Sequence, residues 1–197
     1  MAPSDTLTGM SIAARLRTIP SLTGAAPDLD RDSLPSDPLD LFTDWLDAAL
    51  AGDVPEPIAV TLATVDADGT PDARTLLLKD VDERGWAFAG TASSRKAQQL
   101  AAHPAAALSL WWQPQMRAVR VRGPVEEASP QECEADLAAR SPQARATVPP
   151  GEWRVWRVQP QRIEYWQGSP DRQHIRIVYT RGGDGWSRTV DRGENAR

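Results

Sequence analysis

Short apolar segments separated by turn residues, between positions 58 and 126, constrain the fold more than any other feature of the sequence. Asp68-Gly69 and Gly85 mark tight turns between the first three of them. Five segments are predicted strands: 58–65, 73–81, 86–91, 105–112 and 116–126. Five strands in about 70 residues is the density of a small antiparallel barrel. Further strands are predicted at 153–158, 162–166 and 174–180, and a last one near Trp186.

Helical patterns flank these strands. Asp37 is a predicted N-cap with Pro38 at the first helical position, and apolar residues then recur at helical spacing until Gly52. Two more helices are expected, one capped by Ser94 and running through Leu100 and one over residues 129–140, whereas 141–152 is predicted to be a loop. The sequence therefore predicts a mainly β (α+β) domain over residues 37–190, preceded by a mobile arm over residues 1–36.

Charge and composition exclude several functions. The chain has 27 acidic and 22 basic residues, a net charge of −5, which disfavours nucleic acid as a partner. No apolar run approaches the roughly 20 residues of a membrane span, and the first residues lack the order of a secretory signal, so we expect a cytoplasmic protein without a membrane partner. With one cysteine and two histidines, we expect no metal site.

The first cluster of candidate residues is Ser93-Ser94-Arg95-Lys96, at the predicted start of a helix. Helix N-termini favour acidic residues, so two adjacent cations are electrostatically misplaced there. A bound phosphate, accepting hydrogen bonds from the serines, the free amides and Arg95, would remove the conflict. The alternative is that both cationic side chains extend into water.

The second cluster is the segment from Arg74 to Lys79, which is apolar inside and cationic at each end. Strict alternation places Arg74 and Lys79 on opposite faces of a strand. They can serve one ligand only if the strand bends or if the ligand lies across a subunit boundary. Otherwise they are the solvated ends of a buried strand.

The third cluster is Arg172, His174 and Arg176, which period-two spacing predicts on one face of a strand, with Gln173 on the other. Three potential cations in a row repel one another unless an anion or an electron-rich acceptor lies over them. A flavin edge or a substrate phosphate would suit, and a solvated strand face is the alternative.

Six motifs together carry a family resemblance. They are DPLDLFTDW (37–45), ATVDADG (63–69), RTLLLK (74–79), SRK (94–96), RIEYWQG (162–168) and RQHIR (172–176). In this order they resemble the pyridoxine/pyridoxamine 5′-phosphate oxidases, over about residues 37–188. The resemblance implies an FMN-binding split β-barrel and a homodimer with FMN at each end of the shared interface. It also implies that the segment 153–190 serves dimerisation and the active site.

The resemblance also assigns roles to individual residues. Cofactor-binding positions are implied at Arg74, Thr75, Leu76, Leu77, Leu78, Lys79, Ala89, Gly90, Arg95, Lys96, Trp166 and Arg176. Substrate-binding positions are implied at Lys79, Arg140, Arg172, Gln173 and His174, and Arg172 and His174 match the pair that positions the substrate for catalysis.

Several positions depart from the family pattern. Asp136 and Ala144 stand where the family has a Tyr and a Ser aimed at the substrate phosphate, and an acid beside a dianion is unfavourable. Ala118 replaces a Gln that touches the flavin, and Ala89-Gly90 replaces a pair that usually carries a hydroxyl. A long stretch with a Ser-x-Gln-Ser motif is missing, and the short segment 141–152 stands in its place, which should open the pocket or remove a lid.

The leading hypothesis is an FMN-dependent oxidase that converts pyridoxine or pyridoxamine 5′-phosphate to pyridoxal 5′-phosphate with dioxygen. The altered phosphate contacts favour a second hypothesis, an FMN-dependent oxidase of a secondary-metabolite ring system. A third hypothesis is a flavin-binding module without turnover.

Overall fold

The computed structural model describes residues 10–183 and 185–192. Its helices are α1 (Ile12–Thr18), α2 (Pro38–Ala51), α3 (Arg95–Ala102), α4 (Pro130–Ala139) and α5 (Pro142–Ala146). Its strands are β1 (Ala59–Val65), β2 (Pro71–Leu77), β3 (Asp80–Asp82), β4 (Gly85–Thr91), β5 (Ala105–Trp112), β6 (Arg117–Glu127), β7 (Trp153–Val158), β8 (Arg162–Gln167), β9 (Ile175–Gly182) and β10 (Gly185–Arg192). None of the helices in these ranges has the length and apolarity to span a bilayer.

The strands form an antiparallel split barrel, as predicted. Strand pairing runs from β3 through β4, β7, β6, β5 and β1 to β2, and β2 continues along the chain into β3. The barrel is split at β6, whose first half pairs with β8 and whose last residues pair with β7. Strands β8, β9 and β10 extend the sheet beyond this split.

The crossing point on β6 depends on Gly123. A Cβ atom at this position would overlap the carbonyl oxygen of Gln159, because the chain between β7 and β8 passes directly over it. The Gln159 amide donates to the Pro124 carbonyl at 2.8 Å, and the Gln161 amide donates to the Arg122 carbonyl at 3.0 Å. This close backbone approach holds the two parts of the sheet together.

The predicted strand 73–81 is wrong as one element. The structure breaks it at Leu78 and Lys79: the Leu78 amide still donates to Ile58 before β1, whereas the Lys79 amide donates to Ala87 in β4. The chain changes pairing partner here because the barrel has to turn a corner, and Leu78 is buried at that corner.

The predicted loop 141–152 contains the short helix α5. Ser141 accepts a hydrogen bond from the Ala144 amide and Pro142 occupies the first helical position. This is the Ser-Pro start that also opens α4, where the Ser129 hydroxyl accepts from the Glu132 amide.

Part of the predicted N-terminal arm lies against the sheet. The Ala25 amide donates to the Pro114 carbonyl at 2.8 Å, Gln167 donates to the Pro27 carbonyl at 3.1 Å, and the Tyr179 hydroxyl donates to the Pro35 carbonyl at 2.7 Å. Leu34 joins the core. Residues 1–9 of the arm lie outside the described residues, and its mobility stays a prediction.

Helix α2 closes the barrel with aromatic side chains. Asp37 caps it with Pro38 at the first position, as predicted. Phe42 packs against Trp86 with ring centroids 4.4 Å apart, and Trp45 meets Tyr165 edge to face at 5.2 Å. These contacts join the barrel to the β8–β9 extension through one continuous core.

Candidate functional site

Arg74 lies at the centre of a polar network between β2 and α3. Its side chain points inward, because β2 alternates between half-buried and exposed positions. The guanidinium donates to Asp72 at 2.7 Å and to Gln99 at 2.8 Å, and it also donates to the buried Thr64 hydroxyl. The Gln99 hydrogen bond, followed by the charge of Arg74, lowers the pKa of Asp72.

Arg95 joins the same network from the first turn of α3. It forms ion pairs with Asp66 at 2.5 Å and with Asp72 at 3.3 Å, while its side chain stays exposed. The hydrogen bond that Arg95 donates to Asp66 raises the pKa of Arg95 above its ordinary value. Asp66 and Asp72, two carboxylates of the β1–β2 hairpin, therefore offset the positive charge of Arg95 at the helix start. Neither aspartate was identified from the sequence.

Lys96 turns toward the barrel rather than toward solvent. Its Nζ atom lies 3.3 Å from the Ser94 hydroxyl, and its side chain crosses Gly90, where a Cβ atom would overlap it. Burial, and then the charge of Arg74, lowers the pKa of Lys96 below its ordinary value. Arg74, Arg95 and Lys96 thus come together at one end of the barrel, and we call them the cationic cluster.

Glu152 lies beside this cluster and was also missed. Its carbonyl accepts from the Ala92 amide at 2.7 Å, and its carboxylate accepts from the Ser93 amide at 2.8 Å. The hydrogen bonds from Ser93 lower the pKa of Glu152. The short segment 141–152 is therefore attached to the turn that leads into α3.

The outer edge of β2 runs past the cationic cluster. Among the described residues β2 pairs with β1 alone, so the peptide groups on its other edge meet no neighbouring strand. Thr75 and Leu77 point outward, and Leu76 and Leu78 point into the core. On β4 the half-buried Ala89 precedes Gly90.

Lys79 belongs to a different group of side chains, which lies at the corner after β2. Its Nζ atom lies 3.7 Å from Asp136 of α4, and Asp136 accepts a hydrogen bond of 2.8 Å from the Trp153 indole. The Arg140 guanidinium lies over the Trp153 ring, 4.3 Å from its centroid. We call Lys79, Asp136, Arg140 and Trp153 the α4 cluster. It contains the predicted substrate residues Lys79 and Arg140, whereas Ala144 lies in α5.

The third predicted cluster lies on and before β9, and the prediction that Arg172 and His174 sit on a strand is wrong. β9 begins at Ile175. Arg172 has a positive φ of 65°, and its amide donates to the Ser169 carbonyl, so it belongs to a turn that breaks the alternation. Gln173 is exposed in the same turn, and its amide donates to Asp171.

His174 and Arg176 nevertheless meet Trp166. The His174 ring packs on Trp166 with centroids 4.9 Å apart, and its Nδ1 accepts from the Ser169 amide at 3.1 Å. Arg176 stands opposite Trp166 in the strand register, and so does Ala118 on the other side. Among the residues that the structure describes, the buried Nε atom of Arg176 has no hydrogen-bond partner, and it lies 3.7 Å from Glu164, which is 3% exposed.

Within one chain, the third cluster (Arg172, His174 and Arg176) lies far from the cationic cluster. β2 and β9 are five strands apart in the sheet order, which corresponds to about 24 Å along the sheet. Trp166 and Arg176 also point away from the core, opposite to their neighbours Tyr165 and Ile177. A site containing all of these residues therefore needs a second copy of the chain.

Family models cover most of the chain. A model described as pyridoxamine 5′-phosphate oxidase matches residues 46–167, and one described as the C-terminal dimerisation region of pyridoxine 5′-phosphate oxidase matches residues 153–190. The chain belongs to the pyridoxine/pyridoxamine 5′-phosphate oxidase family. The two matches confirm the resemblance found in the sequence motifs. Members of this family are FMN-dependent oxidoreductases.

Individual relatives agree with this assignment. The pyridoxine/pyridoxamine 5′-phosphate oxidase of Bordetella petrii is 41% identical over 192 residues, which are 82% of this chain and 90% of that protein. The same-named protein of Thermosynechococcus vestitus is 42% identical over 183 residues, 77% of this chain and 87% of the other.

Solved structures of other proteins share the fold. PhzG from Burkholderia lata, in complex with tetrahydrophenazine-1-carboxylic acid, superposes with a TM-score of 0.78 at 25% identity, over 86% of this chain and all of PhzG. A pyridoxamine 5′-phosphate oxidase-related, FMN-binding protein from Nostoc punctiforme gives a TM-score of 0.62 at 19% identity, over 83% of this chain and 98% of the other.

Proposed function

We propose that this chain binds FMN as a homodimer and oxidises a small ring-containing amine or alcohol with dioxygen. The observation that carries the proposal is the cationic cluster beside the free edge of β2. Arginine, lysine and serine donors suit a phosphate monoester, and an unpaired strand edge suits a flat ring with hydrogen-bonding atoms.

The residues present fit FMN. Gly90 leaves room for the Lys96 side chain, which places an ammonium group beside the Ser94 hydroxyl at the start of α3. The buried Nε atom of Arg176 has an ion-pair partner in Glu164 but no hydrogen-bond partner among the described residues, and such a donor is stabilised by an acceptor supplied by a ligand. Arg95 and Lys96 would hold the phosphate, residues 74–79 would line the ring, and Trp166 and Arg176 would contact it from the partner.

A homodimer is part of the proposal because the third cluster and the cationic cluster are remote within one chain. The match of residues 153–190 to a dimerisation region supports it, since β7 to β10 carry the third cluster. A cytoplasmic location stays a prediction from the sequence.

The chain's own residues orient the substrate. Bound FMN would supply the redox chemistry, namely an acceptor for the hydride equivalent from the substrate carbon and a route for its electrons to dioxygen. His174 accepts a hydrogen bond at Nδ1, which leaves the proton on Nε2 and makes that atom the donor toward the substrate. Arg172 and Gln173 lie in the adjacent turn, where they would hold the ring, and Lys79 and Arg140 would hold its anionic group.

The names of the relatives make pyridoxine and pyridoxamine 5′-phosphate the first candidate substrates, with pyridoxal 5′-phosphate as the product. A different ring substrate is the second candidate. PhzG, which shares the fold over its whole length, was solved with a phenazine carboxylic acid, and this chain has the short segment 141–152 where the motif pattern of the oxidases is longer. A flavin-binding module without turnover is the third.

The decisive experiment begins with the purified protein and its absorption spectrum. We expect a yellow protein that releases FMN on heating, identified by mass spectrometry, and that consumes oxygen with one of the candidate substrates. Oxidation of either vitamin phosphate supports the first candidate. Flavin that is reduced only by another ring compound supports the second, and flavin that no substrate reduces supports the third. A colourless protein that does not bind added FMN would refute the proposal.

A further inference from the structure

We propose that the chain has a second small-molecule site, between the N-terminal arm and helix α2, which binds an α-amino acid with an apolar side chain. The site is a cavity of about 270 Å³ with Arg117 and Trp45 in its wall. At the roughly 30 Å³ that a water molecule occupies in the liquid, this volume suits about nine non-hydrogen atoms, as many as leucine has. None of the lining residues belongs to the cationic, α4 or third cluster, so the site is separate from the proposed flavin site.

Arg117 is a buried cation that lacks a carboxylate partner. It is 3% exposed, and its Nε atom donates to Gln167 of β8 at 2.8 Å. That is the one hydrogen bond its guanidinium makes to the residues that the structure describes. Burial lowers the pKa of Arg117 to about 10, and no neighbouring charge within the described part of the chain counteracts this effect. The cost of burying such a cation falls when an anion accepts hydrogen bonds from its remaining N–H groups.

Trp45 of α2 adds a second donor to the same wall. It is 2% exposed, and within residues 10–183 and 185–192 its buried Nε1 atom has no acceptor. The guanidinium carbon of Arg117 lies over the Trp45 ring, 4.2 Å from the ring centroid, so the two donors are adjacent. A buried N–H group without an acceptor is unfavourable. A carboxylate has two acceptor oxygens and can accept from both donors.

The opposite wall of the cavity is built from the arm. Residues 27–35 are held there by the hydrogen bond of 3.1 Å from Gln167 to the Pro27 carbonyl and by that of 2.7 Å from Tyr179 to the Pro35 carbonyl. Apolar side chains also line the cavity: Leu29, Leu34 and Leu41. An apolar group on the ligand would be buried against these leucines, which favours binding.

The other charges of the cavity are three exposed aspartates, Asp28, Asp30 and Asp44. Water hydrates these carboxylates and screens their charge, whereas Arg117 is buried and screened weakly. A ligand with only a carboxylate would be repelled by the aspartates, and a ligand with only an ammonium group would leave Arg117 uncompensated. A zwitterion meets both conditions, with its carboxylate on Arg117 and its ammonium group toward the aspartates.

The test compares three ligands with the same branched alkyl group: L-leucine, 4-methylpentanoate, which lacks the amino group, and 3-methylbutylamine, which lacks the carboxylate. Their affinities for the flavin-loaded protein are measured by isothermal titration calorimetry at about pH 7, where leucine is a zwitterion. We expect 4-methylpentanoate to bind about fivefold more weakly than leucine, because an exposed ion pair contributes little. We expect the amine to bind at least about 30-fold more weakly, because it leaves the buried cation unpaired.

Arg117→Met places the carboxylate site. It should weaken leucine binding at least about 30-fold, whereas Arg122→Met, at an exposed position of the same strand, should leave it unaltered. Should the Arg117 variant fail to fold, Asp44→Asn gives a second test. It should weaken leucine about fivefold without weakening 4-methylpentanoate, and Asp47→Asn, also exposed on α2, is its control.

Three outcomes would overturn the proposal. The first is that leucine does not bind at concentrations up to about 10 mM. The second is that the amine binds as tightly as leucine, and the third is that leucine affinity is unchanged in folded Arg117→Met or, where that protein does not fold, in Asp44→Asn. The FMN content of each preparation is measured separately, so a failure of the amino acid site is distinguished from a failure of the proposed function.

Discussion

The side chain of Lys96 lies across Gly90 of β4 so closely that a Cβ atom at Gly90 would overlap the lysine Nζ and Cε atoms. The φ angle of Gly90 lies outside the left-handed range, so alanine is compatible with the backbone there. We expect Gly90→Ala to push the flexible lysine aside, with a stability change within about 1 kcal/mol. FMN affinity should fall about tenfold, because the ammonium leaves its place beside Ser94.

Fluorescence titration of the apoprotein with FMN checks this expectation, and thermal unfolding checks the stability. Gly183→Ala is the control, since a Cβ atom there meets nothing within 4 Å. Equal FMN affinity in Gly90→Ala and the wild type would show that Lys96 does not contact the cofactor from this position.

The lowered pKa of Lys96 predicts how FMN binding depends on pH. Burial and the charge of Arg74 lower the pKa below the ordinary value of 10.5. A phosphate favours the charged lysine, so binding raises this pKa again, and the affinity falls as the pH rises through the lowered pKa. Lys96→Arg should keep its affinity to higher pH, because arginine stays charged.

The measurement is a series of FMN titrations between pH 7 and the onset of unfolding, in which the phosphate itself remains a dianion. Calorimetry in two buffers of different ionisation enthalpy should reveal proton uptake at the alkaline end of the series. Lys96→Met should bind FMN more weakly and lose this uptake. A wild-type profile that matches that of Lys96→Met would exclude Lys96 as the titrating group.

Strands such as β1, β5 and β6 could be predicted because each buries one face, and this alternation is visible in the sequence. The corner at Leu78 and Lys79 could not, because the apolar pattern continues through it and only the pairing partner changes. The third cluster shows the same limit: period-two spacing cannot reveal that Arg172 has a left-handed backbone conformation, which takes it out of the strand.

The cationic residues of the candidate site were visible as charges at unusual positions, but their acidic partners were not. Asp66 and Asp72 belong to a hairpin, where acidic residues are ordinary, and Glu152 is distant in sequence from Ser93. Only the packing of α3 against β1, and of the segment 141–152 against the turn that precedes α3, brings these carboxylates to the cluster.

Arg157 links β7 to β3 and α4 and should matter for stability. Its side chain is 6% exposed and is paired with Asp80 at 2.7 Å, Asp82 at 3.0 Å and Glu132 at 2.5 Å. Arg157→Met would leave three carboxylates close together. We expect a loss of about 3 kcal/mol, the lower end for a buried pair, because the carboxylates can still be partly hydrated.

Urea unfolding gives the measurement, and Arg84→Met gives the control. Arg84 contacts the same three acids but is 58% exposed, so its loss should change the stability by less than about 1 kcal/mol. Comparable losses in the two variants would mean that burial does not distinguish the two arginines.

His174 should affect the reaction rather than the fold. Its ring packs on Trp166, and its Nδ1 accepts from Ser169, so Nε2 is its remaining donor. His174→Phe keeps a ring against Trp166 but removes that donor, and misorientation of the substrate should lower kcat/KM by about 100-fold. The chain has two histidines, so His103→Phe, an exposed change at the end of α3, is a natural control.

If reduction of the flavin in single-turnover experiments is equally fast in both variants, His174 does not orient the substrate. A slow reduction in His174→Phe alone, with unchanged flavin content and unfolding temperature, is the outcome that the geometry of His174 predicts.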